Sequence, residues 1–199
     1  MRVTTNNNRL MAIMASVNIL LIVLFFVLPF ASVVPGLVIY YLLNIIRGVF
    51  DVFLSFYLVL LIQFAGEKVA VQTPFSIFLA IKLIFLFIFI FPFLHVGNLI
   101  QTTSIYIFVL IFYIAIMTTK MKNPVFSTPF KIYGASLIAV MIFGIVITFF
   151  NIKNNTPYQQ LSGLWFTSLT GILPMLAILN ILSKSKKVLS DKLLAHTEV

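Results

Sequence analysis

The stretch Leu83-Ile84-Phe85-Leu86-Phe87-Ile88-Phe89-Ile90-Phe91 is an unbroken run of apolar residues. A β-strand that crosses a membrane alternates apolar and polar side chains, and this stretch does not alternate. In a lipid interior, a continuous apolar run satisfies its own backbone hydrogen bonds only as a helix. The stretch therefore predicts a transmembrane helix.

Six segments of the chain are long and apolar enough for such a helix, since about 20 apolar residues cross the hydrocarbon core. They cover residues 10–34, 37–65, 75–94, 99–118, 130–150 and 164–182. Of the 199 residues, 62% are hydrophobic and only 9% are charged, whereas soluble domains carry about 25% charged residues. The sequence predicts an all-α, polytopic integral membrane protein, a bundle of six transmembrane helices in one domain.

The basic residues predict the orientation, because Lys and Arg remain on the cytoplasmic side of a membrane. With the N-terminus inside, the cytoplasmic segments hold Arg2, Arg9, Lys68, Lys120, Lys122, Lys131, Lys184, Lys186, Lys187 and Lys192. Only Lys153 lies clearly outside, and Arg47 and Lys82 lie within spans. This bias predicts that both termini are cytoplasmic, with residues 1–9 disordered and residues 183–199 forming a basic tail.

The net charge of +9 bears on partners. Because the basic residues lie mainly between apolar runs, we expect them to contact anionic lipid headgroups at the cytoplasmic face and not nucleic acid. Other membrane subunits are a further expected class of partner. We expect the protein in the bacterial inner (plasma) membrane.

Four polar residues of the second span, Asn44, Arg47, Asp51 and Ser55, are spaced three, four and four apart. At this spacing they share one helix face. An intramembrane charge is costly and usually faces protein or water. The stripe is either a polar pathway or binding site, with Asp51 as proton or cation ligand and Arg47 as its switchable partner, or a self-neutralising Arg47–Asp51 pair. Such a pair eases insertion or clamps a neighbouring helix or a partner subunit.

Lys82 lies two turns into the third span. Its long stem allows the ammonium group to reach the headgroup region, and we expect this snorkelling arrangement. The alternative is a contact with Asp51 or with an anionic ligand.

The sixth span carries Gly163, Thr167 and Gly171 at a spacing of four. Small residues at this spacing let helix backbones approach closely, so the stripe predicts helix packing.

Three prolines each predict a local feature of a helix. Pro174 interrupts the sixth span and is expected to kink it. Pro74 and Pro129 each follow a Thr and are expected at the first turn of the third and fifth spans, where Pro is favoured.

No catalytic motif or metal-binding motif is present in the sequence. The chain has no Cys and two His, and only four acidic residues. We therefore expect neither an enzyme nor a bound cofactor or metal.

Two functions remain open. One is a small transporter, channel-type component or permease subunit with a polar site around Arg47 and Asp51. The other is a non-transporting partner, such as an assembly, immunity or scaffold subunit of a larger membrane complex. A water-reachable cavity along the stripe would favour the first function, and a tightly packed or outward-facing stripe would favour the second.

Overall fold

The computed structural model describes residues 3–27, 37–91, 98–153 and 169–197. Within these ranges the chain is helical and contains no strand. The six helices are α1 (Thr5–Val27), α2 (Leu37–Phe64), α3 (Val69–Ile90), α4 (Asn98–Thr118), α5 (Pro124–Lys153) and α6 (Ile172–Thr197).

Four stretches within these helices are long and apolar enough to cross a membrane, namely Thr5–Val27, Tyr41–Phe64, Val69–Ile90 and Pro124–Ile147. A shorter apolar helical stretch covers Thr103–Thr118. Many large apolar side chains are exposed, including Leu20 and Ile84 at 64% and 57%. Such a surface suits lipid better than water, and the apolar helices indicate an integral membrane protein.

The helices pack in a ring in chain order, with α6 closing it against α1. Neighbours run antiparallel. Near the beginning of α2, the Tyr41 hydroxyl donates a 2.9 Å hydrogen bond to the carbonyl of Phe89, near the end of α3. Near the beginning of α1, the Asn8 amide donates a 2.9 Å bond to the carbonyl of Leu182 in α6.

The antiparallel order gives the ring two different ends. We call one of them the basic end: α1 begins there, and residues 65–68 and 119–123 connect helices there. Lys68, Lys120 and Lys122 lie in these two connections, and Lys184 and Lys186 follow Leu182 in α6. Lys153 lies at the last residue of α5, at the opposite end.

Local sequence explains the helix ends at the basic end. The Thr4 hydroxyl accepts a 3.2 Å bond from the Asn7 N–H, which caps α1. Asn123 caps α5 by accepting a 3.0 Å bond from Val125, with Pro124 as the first helical residue. Gly66, at φ 69°, terminates α2.

Several helix boundaries differ from their expected positions. The α3 and α5 helices begin at Val69 and Pro124, earlier than the expected residues 75 and 130. Pro74 and Pro129 therefore lie inside the helices, and the expectation that they occupy the first turn is wrong. Residues 5–9, expected to be disordered, are helical, and α6 continues through most of the expected tail to Thr197.

The core fills the half of the ring nearest the basic end. Its largest fully buried side chains include Tyr57, Phe126, Phe130 and Tyr133. Phe75 of α3 meets the Phe130 ring of α5 edge to face across the ring of helices, with centroids 5.1 Å apart. Ile22 and Phe25 in α1 are the buried residues nearest the opposite end.

Candidate functional site

A partly open cavity of about 770 Å³ lies between the helices, on the side of the core away from the basic end. Its walls come from every part of the ring, for example Ile22 of α1, Val52 of α2, Phe85 of α3, Ile105 of α4, Leu137 of α5 and Met175 of α6. This volume falls within the range of about 300–1,000 Å³ that is usual for small-molecule sites.

Charged side chains meet where the cavity adjoins the core. The Lys82 ammonium nitrogen lies 2.8 Å from Oδ2 of Asp51 and donates a 2.9 Å bond to Oδ1. It also donates to the hydroxyls of Ser55 at 2.9 Å and Tyr133 at 3.4 Å. We call these four residues the Lys82 cluster. The cluster joins α3 to α2 on one side and to α5 on the other.

The two members of the ion pair differ from the other two in exposure. Asp51 and Lys82 line the cavity, with side-chain exposures of 31% and 16%. Ser55 and Tyr133 are buried in the core. The cluster thus lies at the boundary between a space that can hold a ligand and the packed half of the protein.

The position of Lys82 decides between the two arrangements that the sequence left open, snorkelling to the headgroups and contact with Asp51. Its contact with Asp51 confirms the alternative prediction, and the expectation that it snorkels to the headgroups is wrong. The reason is that Asp51, Ser55 and Tyr133 together accept all the hydrogen bonds that an ammonium group can donate. Asp51 has a cationic partner on another helix, which the i, i+4 spacing within α2 did not indicate.

Arg47 and Asn44, the other members of the predicted stripe, also line the cavity. The Arg47 guanidinium carbon lies 5.6 Å from the centroid of the Phe25 ring in α1, a cation–π distance. Among the described residues, the charged ones that line the cavity are Arg47, Asp51 and Lys82, which sum to a formal charge of +1. Glu67, the acidic residue that follows Asp51 in the sequence, does not line it.

Asn18 adds a buried polar group to the cavity wall. Its side chain is 2% exposed, and its amide nitrogen lies 3.6 Å from the Met175 sulfur. Its Oδ1 atom accepts no hydrogen bond from the residues that the structure describes. A buried carbonyl oxygen without a donor is unfavourable, so this atom favours a bound donor.

The predicted features of the sixth span are only partly described. Gly163 and Thr167 lie outside the described residues, so the packing stripe stays a prediction. Gly171 forms a turn between helical residues 169–170 and α6, and it lines the cavity together with Pro174. The helical path is thus interrupted three residues before Pro174, whose ring nitrogen cannot donate a backbone hydrogen bond.

Sequence reasoning did not identify Tyr133, Tyr106 or Thr170 as polar parts of the site. Tyr106 and Thr170 line the cavity, and Tyr133 completes the Lys82 cluster. A tyrosine or threonine among apolar residues is common in membrane helices and carries no signal of its own.

A buried carboxylate links two connections at the basic end. Glu67 is 4% exposed, and its two oxygens accept 2.7 Å bonds from the backbone N–H groups of Lys122 and Asn123. We call this contact the Glu67 clamp. It ties the α2–α3 connection to the α4–α5 connection. Within the described residues, no three His, Asp or Glu side chains converge as metal ligands would.

Comparison with known proteins adds no assignment: no family model, curated protein or solved structure matches this chain.

Proposed function

We propose that the protein is a small transporter or channel-type membrane component, with the cavity as its substrate site and the Lys82 cluster at its inner boundary. The observation that carries this proposal is that Arg47, Asp51 and Lys82 line a cavity between the helices. Charges that served only membrane insertion would need no such space. Intramembrane charges that face a cavity usually mark an ion or substrate pathway.

The distribution of packing supports a one-sided access route. The core and the Glu67 clamp fill the basic end, and the cavity lies towards the opposite end. Because basic segments remain in the cytoplasm, we propose six spans with both termini inside. In that orientation the cavity faces away from the cytoplasm, and the lysines of the basic end contact anionic lipid headgroups. A bacterial inner membrane fits this arrangement.

The Lys82 cluster offers a means of coupling substrate binding to helix movement. Lys82 bonds Asp51 and Ser55 of α2 and Tyr133 of α5. A substrate that competes for one of these bonds weakens the link between α3 and its neighbours. A ligand shifts a conformational equilibrium only through different affinities for the two states, and breaking this link provides such a difference.

The alternative role, a non-transporting assembly, immunity or scaffold subunit, fits the cavity less well. A docking stripe would face outwards or be packed tightly against a neighbour. We also propose no enzymatic role, because the part of the cavity lining that the structure describes contains one carboxylate and no His to act as a second acid–base group. Association with other membrane subunits remains compatible with transport.

The test uses the absence of Cys from the chain, which allows single cysteines to be introduced without background labelling. Leu137→Cys places a thiol in the cavity wall. Ile84→Cys, on the apolar exterior, and Leu58→Cys, in the core, are matched controls. A membrane-impermeant thiol reagent reacts with water-exposed thiolates, and is added separately to right-side-out and inverted vesicles.

We expect Leu137→Cys to react at least tenfold faster than both controls from the face opposite the basic end. A transporter must also open its other side, so Tyr57→Cys in the core should react slowly from the basic face. Leu137→Cys reacting no faster than Leu58→Cys from either face would contradict the proposal. Access from one face only, with Tyr57→Cys inert, would favour the non-transporting role.

A further inference from the structure

We infer that the cavity binds an amphiphile with a single negative charge, whose anionic group lies near Arg47 and whose apolar body lies against the remaining walls. This inference rests on the proposed function, because it takes the cavity to be a ligand site. It names the class of ligand, which no comparison supplies.

The charge of the ligand follows from the residues that line the cavity. Among the described lining residues, two cations, Arg47 and Lys82, accompany one anion, Asp51, which leaves a formal charge of +1. Glu67, the next acidic residue in the sequence, accepts hydrogen bonds from the backbone N–H groups of Lys122 and Asn123 at the basic end. Charge in a weakly polar site is costly unless it is compensated, so a ligand with one negative charge is favoured.

The two cations differ in how they can meet this ligand. Lys82 already donates to Asp51, Ser55 and Tyr133, and an ammonium group has three N–H donors. Arg47 carries a planar fork of five N–H donors, whose geometry matches a carboxylate or a phosphate. The buried Nε atom of Arg47 makes no hydrogen bond to the described residues, so the anionic group is expected at Arg47, with Lys82 contributing through its charge.

The body of the ligand follows from the walls. Most cavity-lining residues other than the charged ones are apolar, among them Phe85, Leu86, Phe89, Val140 and Ile147. A small hydrophilic anion would leave these side chains against water. An apolar chain attached to the anionic group would cover them, at a gain of about 25 cal/mol for each Å² of apolar surface removed from water.

Asn18 supplies an independent sign of a ligand. Its Oδ1 atom is buried at the cavity wall without a hydrogen-bond donor among the described residues. A hydroxyl or N–H group of the ligand would satisfy it.

The test measures binding of radiolabelled laurate to the full-length protein in nanodiscs of zwitterionic phosphatidylcholine. The competitors are unlabelled laurate, dodecanol, lysophosphatidylglycerol and lysophosphatidylcholine. We expect saturable binding that laurate and lysophosphatidylglycerol displace, and that dodecanol and lysophosphatidylcholine displace at least tenfold less well. Stronger displacement by lysophosphatidylglycerol than by laurate identifies a membrane lipid as the source, and the reverse identifies a free amphiphile.

Variants test the position of the anionic group. Arg47→Gln is expected to weaken laurate binding about tenfold or more, because a hydrogen-bonded charge contact is lost. Arg47→Lys, which keeps the charge without the fork, should fall between Gln and the native residue. Lys120→Gln, an exposed control at the basic end, should bind as the native protein does. Displacement by dodecanol as strong as by laurate, or native binding by Arg47→Gln, would overturn the inference.

The failure of this inference is distinguishable from the failure of the proposed function. Anion-selective binding with no labelling of Leu137→Cys from either face would leave a lipid-binding site in a protein that does not transport. Labelling of Leu137→Cys from the face opposite the basic end and of Tyr57→Cys from the basic face, with no preference of the binding site for the anionic probe, would leave a transporter whose substrate belongs to another class.

Discussion

Replacing Asp51 with Asn removes the carboxylate that Lys82 contacts through both oxygens, at 2.8 and 2.9 Å. Asn has nearly the same shape and can still accept one hydrogen bond, so the substitution removes the charge and one of the two contacts without leaving a cavity. Removing one partner of a buried pair costs about 3–5 kcal/mol, whereas an exposed pair contributes about 0–1 kcal/mol. The side chains of Asp51 and Lys82 are 31% and 16% exposed to the cavity, which places this pair between those limits. We expect a loss of about 2 kcal/mol in the free energy of unfolding.

The assay is a double-mutant cycle. The free energy of unfolding is measured by SDS titration from mixed micelles for the native protein, Asp51→Asn, Lys82→Met and the double variant. Because the two residues share a hydrogen-bonded cluster, we expect a coupling energy of about 1–3 kcal/mol. Lys120→Gln, on the exposed basic end, should change stability by no more than about 0.5 kcal/mol. A coupling energy below about 0.5 kcal/mol would refute the ion pair as a stabilising link between α2 and α3.

Three further variants address the basic end and the helix contacts with the same unfolding measurement. Glu67→Gln removes the charge of the Glu67 clamp and replaces one of its two acceptor oxygens with an amide NH2 group, which cannot accept the second backbone bond. It should cost about 1–3 kcal/mol in the free energy of unfolding, and native stability would show that the clamp contributes nothing. Gly66→Ala places a side chain at φ 69° with open space around it, so backbone strain alone should cost about 1 kcal/mol. The control is Gly134→Ala, whose added Cβ would lie 3.6 Å from its nearest neighbour. This substitution should be neutral or stabilising by up to about 1 kcal/mol. Equal effects of the two substitutions on stability would exclude backbone strain at Gly66. Ser185→Ala leaves the buried Oδ1 atom of Asn8 without its 2.8 Å donor and should cost about 1–3 kcal/mol, and no change would mean that another donor replaces the hydroxyl.

Hydropathy was sufficient to locate the apolar helices, but it did not identify the residues at which they begin. The apolar residues of α1 and α5 are preceded by polar residues, so a hydropathy criterion begins each helix too late. Thr4 and the pair Asn123-Pro124 are capping signals that predict the earlier starts. A cap depends on one or two residues, which an average over about 20 residues does not detect.

The sequence likewise predicted one part of the candidate site and not the other. The spacing of Asn44, Arg47 and Asp51 predicted a shared face, and all three line the cavity. The partner of Asp51 was not fixed by spacing, because Lys82 lies 31 residues away on another helix. Helical periodicity predicts which residues share a face, but not which neighbouring helix that face meets. Tyr133 could not be predicted at all, since its hydroxyl matters only once α3 and α5 face each other across the ring of helices.

The Glu67 clamp has an uneven sensitivity to sequence change. Its acceptors belong to one side chain, but both donors are backbone N–H groups, which every residue except proline provides. Lys122 can therefore vary widely without loss of this contact, whereas position 67 cannot, and Asn123 is also constrained because its side chain caps α5. A saturation-mutagenesis map of the two connections should show an intolerant acidic position 67, a position 122 that rejects proline alone, and a position 123 that favours other capping residues.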